Sequence, residues 1–116
     1  MDFSVFEKMV IDATLCKSAS EKPDTLELLR SQYASADVLK REFTGVGFFT
    51  NFVVNDKSLV LSGKENFELG YLGEINDVQY GVGFVLFVRE GFISMLEGYT
   101  YGESWPCEIE FFNVAP

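Results

Sequence analysis

Apolar residues recur at helical spacing through the first third of the chain and then alternate with other residues through the rest. Ser4 and Glu7 have the Ser-x-x-Glu spacing of a capping box, which marks a helix start. Four apolar residues follow on one helical face: Phe6, Met9, Val10 and Ala13. We therefore predict a first helix here, although residues 9–11 are also compatible with a short strand.

A second helix is predicted after the polar break at residues 17–22. Pro23 is typical of a first helical turn, with Asp24 or Thr25 as the N-cap. The helical stripe then continues through Leu26, Leu28, Leu29, Arg30 and Tyr33. Val38 and Leu39 either extend this helix or begin a connecting segment.

From residue 41 the pattern changes from helical to alternating. It predicts one long strand over residues 41–54, with apolar groups on both faces, and then a turn at 55–58. Further strands are predicted over residues 59–61, 67–75, 80–88, 92–101 and 108–114. No helical pattern separates them, and such short links favour antiparallel neighbours.

These elements predict an α+β fold with one or two N-terminal helices packed on an antiparallel β-meander of about five to six strands. The 116 residues suit one domain, mainly helical over 1–40 and sheet over 41–116. A hydrophobic fraction of 47%, including 12 Phe, is enough for a core and argues against a disordered chain.

The short pattern Gly-Val-Gly-Phe occurs twice, at residues 45–48 and 81–84. Glycines spaced by two leave a bare stripe on one face of a strand, where an aromatic ring or a helix can pack closely or the sheet can bend. Neither copy completes the dinucleotide-binding pattern G-x-G-x-x-G, because Thr50 and Leu86 stand where the third glycine belongs. The motif therefore does not predict nucleotide binding.

The net charge of −9 is concentrated in the second half of the chain. Up to Ser58 there are 9 acidic and 7 basic residues, whereas beyond it 9 acidic residues face only Lys64 and Arg89. Such a surface repels nucleic acid and anionic lipid and attracts basic proteins, although acidity also serves solubility alone. We expect no nucleic-acid or membrane partner. With neither a basic leader nor an apolar run of roughly 20 residues, we expect a cytoplasmic protein.

The chain contains no His, which removes Ser-His-Asp and Cys-His catalysis and imidazole metal ligands. Its two cysteines, Cys16 and Cys107, form no CxxC pair. We expect them to be reduced, buried thiols, with a disulfide left open. No motif indicates a metal or a cofactor, and we predict that the protein is not an enzyme.

Glu97 is the acidic residue with the most unusual predicted position. Strand alternation places it on one face with four other side chains: Ile93, Met95, Tyr99 and Tyr101. Desolvation there would raise its pKa, as in a general acid. The simpler interpretation is that Glu97 pairs with Arg89, Lys64 or a backbone amide.

Tyrosine, tryptophan and acidic residues cluster near the C-terminus in the composition of an interface hot spot. We predict a partner-binding surface made of seven residues: Glu97, Tyr99, Tyr101, Glu103, Trp105, Glu108 and Glu110. Glu108 and Glu110 are expected on one face of the last strand, after Glu103 in a loop. The alternative for Trp105 is that it closes the core.

Two segments of the chain, residues 83–106 and 43–50, resemble small uncharacterised bacterial proteins. Such short acidic proteins are similar to the immunity partners of polymorphic or contact-dependent toxins. The resemblance implies no catalytic residues. It implies an immunity protein that neutralises a basic toxin, and a nuclease toxin would be basic because its substrate is rich in phosphate.

Two other hypotheses stand beside this one. The protein could be a structural or ligand-binding module, compatible with a homodimer joined through exposed apolar strands. It could also be a carboxylate-based hydrolase that uses Glu97.

Overall fold

Two helices precede six strands in the computed structural model, which describes residues 3–17 and 23–114. The helices are α1 (Val5–Lys17) and α2 (Pro23–Ala34). The strands are β1 (Ala36–Phe43), β2 (Gly47–Val54), β3 (Phe67–Ile75), β4 (Val82–Arg89), β5 (Phe92–Thr100) and β6 (Phe112–Val114). All neighbouring strands are antiparallel, which confirms the predicted α+β fold with N-terminal helices.

The strand order across the sheet is β1-β2-β5-β4-β3-β6, so it is not the consecutive order of a simple meander. After β2 the chain passes through residues 55–66 to the strands near the opposite edge of the sheet. This connection includes a 3-10 turn at Lys57–Leu59. The strands β3, β4 and β5 then return in sequence until β5 pairs with β2. The crossing therefore places β2, β5, β4 and β3 in the interior of the sheet, between β1 and β6.

Gln32 of α2 anchors this crossing from inside the protein. Its side-chain NH₂ donates to the carbonyls of Leu59 and Gly91, both at 2.8 Å, and its side-chain oxygen accepts from the Ile93 N–H at 2.9 Å. Gln32 is fully buried, and these bonds satisfy its amide. The predicted stripe of α2 placed Arg30 on the packed face, but Arg30 is exposed and Gln32 is buried instead.

α1 has the predicted capping box, and the face that it buries only partly overlaps the predicted one. The Ser4 N–H donates to the Glu7 carboxylate at 2.7 Å, and the Glu7 N–H donates to the Ser4 hydroxyl at 3.2 Å. Met9 is 45% exposed, whereas the buried set is Glu7, Val10, Ile11, Thr14 and Leu15. Val10 is common to both sets, and Phe6 and Ala13 are half-buried against the core, so the buried face is shifted towards Ile11.

The second helix begins at Pro23, so Asp24 and Thr25 lie in its first turn rather than at the N-cap. Most of the predicted polar break, residues 18–22, lies outside the described residues. Val38 and Leu39 belong to β1, which extends the sheet into the part of the chain predicted to be helical or connecting.

Three predicted strands differ from the structure because turns interrupt them. The long strand over residues 41–54 is a hairpin of β1 and β2, since Gly45 turns at φ +88° and the Thr44 N–H donates to the Gly47 carbonyl. Residues 59–61 form the end of the 3-10 turn and a loop. Only Phe112–Val114 of the last predicted strand pairs, because Asn76 holds the loop before it by bonds to the Glu108 carbonyl and the Glu110 N–H.

Both helices pack on one side of the sheet, which we call the covered face. An aromatic cluster fills it between α1 and the strands, with ring centroids 5.3–6.5 Å apart. Its members are Phe6, Phe48, Tyr71, Phe84, Trp105 and Phe112. Among the described residues no helix packs on the opposite side, which we call the open face.

Candidate interaction surface on the open face

The open face carries a half-buried apolar band across its three central strands. Strand register aligns Phe49, Glu97 and Val85 in one row, and Asn51, Met95 and Phe87 in the next. All six side chains are half-buried. Neighbouring side chains shield one another here without a helix above them, so this surface can be covered by a partner at little further cost.

Glu97 lies at the centre of this band, between Phe49 and Val85 on the adjacent strands. Burial among these groups raises the pKa of its carboxyl. Within residues 3–17 and 23–114, no cation and no hydrogen-bond donor contacts the carboxylate. The simpler interpretation from sequence offered Arg89, Lys64 or a backbone amide as the partner. Arg89 instead pairs with Glu68 at 3.0 Å, and no bond from Lys64 or from a backbone amide of the described residues reaches Glu97.

Glu97 shares its face with Met95 and Tyr99, as predicted, but not with Ile93. A bulge shifts the register between Phe87 and Val88, so that Phe87 faces Met95 while Val88 faces Ile93. The extra residue reverses the side-chain alternation, and Ile93 is buried on the covered face. Simple alternation along the sequence cannot detect such a bulge.

Tyr99 lies over the bare stripe that the second Gly-Val-Gly-Phe segment leaves on β4. A Cβ added to Gly83 would come within 2.3 Å of the Tyr99 ring, so only glycine permits this ring position. Tyr101 packs edge-on against Tyr99, with ring centroids 5.8 Å apart and planes at 84°. Burial raises the pKa of Tyr99, and the charge interaction and hydrogen bond with Tyr101 and the charge of Glu97 raise it further. The predicted Glu97, Tyr99 and Tyr101 therefore lie together.

Glu103 organises the turn beside these tyrosines rather than facing solvent as a free charge. Its carboxylate accepts hydrogen bonds from the backbone N–H groups of Gln79 and Tyr80, at 2.9 and 3.0 Å. This fixes the turn between β3 and β4, in which Asp77 and Gly81 have positive φ. Tyr80 is thereby presented, 68% exposed, at the end of the open face. Sequence reasoning did not identify Tyr80.

The other predicted partner-binding residues lie away from the open face. Trp105 packs in the aromatic cluster, 5.3 Å from Phe48, so it closes the core. Glu108 and Glu110 are exposed in the loop held by Asn76 and do not share a strand face. The predicted set of seven therefore does not form one surface.

Glu7 is a second shielded carboxylate, and it lies on the covered face. The sequence did not reveal that it is buried in an ion pair. Arg41 donates two hydrogen bonds to its carboxylate, at 2.9 and 2.7 Å, and the Thr50 hydroxyl donates a third. Burial would raise the pKa of Glu7, but the bonds from Arg41, Thr50 and Ser4 outweigh burial and lower it. The capping-box spacing identified Glu7, but only as a cap.

Both cysteines are exposed, which corrects the expectation that they are buried, and neither forms a disulfide. In the described part of the chain, no group of three or more Cys, Asp or Glu side chains is arranged to hold a metal ion. None of the described helices is long and apolar enough to cross a membrane.

Comparisons of the chain with protein-family models, with curated proteins and with solved structures gave no match. Function therefore has to be argued from the two faces of the sheet.

Proposed function

We propose that this protein is a non-enzymatic inhibitor that binds a basic protein, in the manner of an immunity protein acting on a bacterial toxin in the cytoplasm. The observation that carries the proposal is that the Glu97 carboxylate, in the middle of the apolar band, has no partner among the described residues. A desolvated carboxylate without a partner is unfavourable, so a surface that retains one gains free energy when a cation covers it.

The charges around Glu97 favour the same kind of partner. The cations at the two sides of the face are already neutralised, since Lys40 pairs with Glu42 and Arg89 with Glu68. The excess charge of the open face is therefore negative. An acidic surface accelerates association with a basic protein and repels an acidic one.

The aromatic and aliphatic side chains around Glu97 supply the rest of an interface. Interface hot spots combine large apolar groups with a central polar anchor that becomes fully desolvated. Phe49, Val85, Met95 and Tyr99 surround Glu97 in this way. Glu97 lies in a row of side chains that runs across three strands, and such an extended surface favours a macromolecular partner over a small substrate.

The test is calorimetric titration of the protein with the product of each neighbouring gene that encodes a basic protein. We expect binding, a steep loss of association rate with added salt, and at least about a 100-fold loss of affinity in Glu97→Arg, because like charges meet in the interface. Glu27→Arg is the matched control, since Glu27 is exposed on α2 and the net-charge change is the same. No binding, or equal losses in the two variants, would refute the proposal.

A second candidate is self-association through a separate apolar patch at the start of α1. Four exposed side chains mark this patch: Val5 (75%), Met9 (45%), Phe43 (73%) and Phe111 (49%). Sedimentation that shows a dimer, lost in Phe43→Asp but retained in Glu97→Arg, would favour this structural role. A monomer at all concentrations would exclude it.

A further inference from the structure

We propose that the open face ends in a pocket that takes one cationic side chain, an arginine guanidinium of the basic partner. This inference rests on the proposed function, which it deepens by naming the group that is recognised. The pocket has a volume of about 300 Å³ and is lined by Leu72, Glu74, Tyr80, Tyr101 and the backbone of residues 79–82.

Two exposed tyrosine rings give the pocket its chemistry. Tyr80 and Tyr101 are 68% and 54% exposed, and both line the same cavity. An aromatic ring attracts a cation through its negative face, and arginine adds stacking of its flat guanidinium. Leu72, which is 52% exposed, provides an apolar wall for the methylene chain of the incoming residue.

Glu74 supplies the charge at the pocket. It is exposed on β3, on the same face as Leu72, and no basic side chain lines the pocket. Among the described residues no cation is paired with Glu74. A carboxylate and two rings around one cavity select a cation over a neutral or an anionic side chain.

The pocket is held in shape before any ligand binds. The Glu103 carboxylate accepts hydrogen bonds from the backbone of Gln79 and Tyr80. Tyr101 packs against the Tyr99 ring, which in turn packs over Gly83. Such preorganisation lowers the entropy lost on binding. A volume at the lower end of ligand pockets suits a single side chain rather than a cofactor.

The experiment titrates the isolated protein with N-acetyl-arginine methylamide and with the citrulline analogue, which has nearly the same shape but no charge. We expect saturable NMR shifts at Tyr80, Tyr101 and Glu74 with a dissociation constant on the order of 10 mM for arginine, and none for citrulline. Equal shifts with both probes would overturn the proposal.

Variants then separate the contribution of the tyrosine rings to arginine binding from that of the overall negative charge. Tyr80→Phe and Tyr101→Phe keep the ring and are expected to bind within about twofold of the wild type. Tyr80→Leu, Tyr101→Leu and Glu74→Gln are each expected to weaken binding at least about threefold. Glu65→Gln is the control for charge, because Glu65 is exposed in a loop outside the pocket.

If the leucine variants bind arginine like the wild type, the pocket is not the site. Because this titration uses no protein partner, its outcome is independent of the test of Glu97. A basic partner whose affinity falls in Glu97→Arg but not in Tyr80→Leu would overturn the pocket and leave the proposed function standing.

Discussion

Glu7 and Glu97 are both shielded by the sheet, but they lie on opposite faces and have opposite environments. Glu7 is covered by α1 and bound by Arg41, Thr50 and the Ser4 N–H, and its pKa is lowered. Glu97 lies among apolar side chains without a partner in the described chain, and its pKa is raised. The same residue type is therefore structural on one face and available for binding on the other.

The two faces differ in how completely their polar groups are hydrogen-bonded and their apolar groups are packed. On the covered face polar groups are satisfied and the aromatic rings are packed between two layers. On the open face comparable apolar groups are shielded only by their strand neighbours. The free energy still to be gained by burial therefore lies on the open face.

The largest expected difference between the faces comes from two phenylalanines of β4. Phe84 is 1% exposed in the aromatic cluster, whereas Phe87 is half-buried on the open face beside Arg89. We expect Phe84→Ala to lower the free energy of unfolding by about 4 kcal/mol and Phe87→Ala by about 1 kcal/mol. Urea unfolding at pH 7 measures both, and equal losses would contradict the distinction between the faces.

Glu7→Gln is expected to lower the free energy of unfolding by about 3 kcal/mol. It removes the charge from the carboxylate that accepts two hydrogen bonds from Arg41, and the value is at the low end for a buried pair because the Arg41 side chain is 25% exposed. Since the pKa of Glu7 is lowered, its contribution is present above its ordinary value of 4.5 and is lost as pH falls below that value. Urea unfolding from pH 3 to pH 7 tests this, and an unchanged pH dependence in the variant would contradict it.

Two glycine-to-alanine substitutions test whether the side chains on each face can move to accept an added Cβ atom. A Cβ on Gly98 would lie 2.3 Å from the Phe48 ring on the covered face, and a Cβ on Gly83 would lie 2.3 Å from the Tyr99 ring on the open face. Phe48 is packed against Trp105, whereas Tyr99 can swing outwards. We expect thermal unfolding to show a loss of about 3 kcal/mol for Gly98→Ala and about 1 kcal/mol for Gly83→Ala. The reverse order would show that the open face is the more rigid one.

Glu97→Gln is expected to have the smallest effect on stability, a gain of less than about 1 kcal/mol at pH 7. Because the pKa of Glu97 is raised, the folded protein holds this proton more tightly than the unfolded chain does. The contribution of Glu97 therefore falls as pH rises above 4.5, and the variant should lack this fall. A clear loss of stability in the variant would mean that Glu97 has a structural partner.

Much of the fold could be predicted from the sequence where the pattern was long and regular. The strand predicted over residues 67–75 is β3, and that over 92–101 is β5 with one residue fewer. The hairpin at Gly45 and the irregular segment before Phe112 were missed, because side-chain alternation continues through a turn. The strand order could not be predicted from the hydrophobic pattern, because the order depends on which β-strands pair after the crossing.

The candidate site could be predicted in part. Glu97, Tyr99 and Tyr101 were correctly placed near one another because they alternate on a single strand or follow it directly. Tyr80 was missed because it reaches the same surface from a different turn, and Trp105 was misplaced because proximity in sequence does not fix the face of a loop residue.

By itself the sequence determined the helices, most of the strands, the acidic excess and the lack of imidazole chemistry, because these follow from local spacing and composition. Only the tertiary structure decided that Glu7 is neutralised, whereas Glu97 has no partner among residues 3–17 and 23–114. That outcome depends on which residues the sheet brings opposite each carboxylate. Arg41 and Thr50 are far from Glu7 in sequence, and the bulge that separates Ile93 from the face of Glu97 exists only in the pairing of β4 with β5.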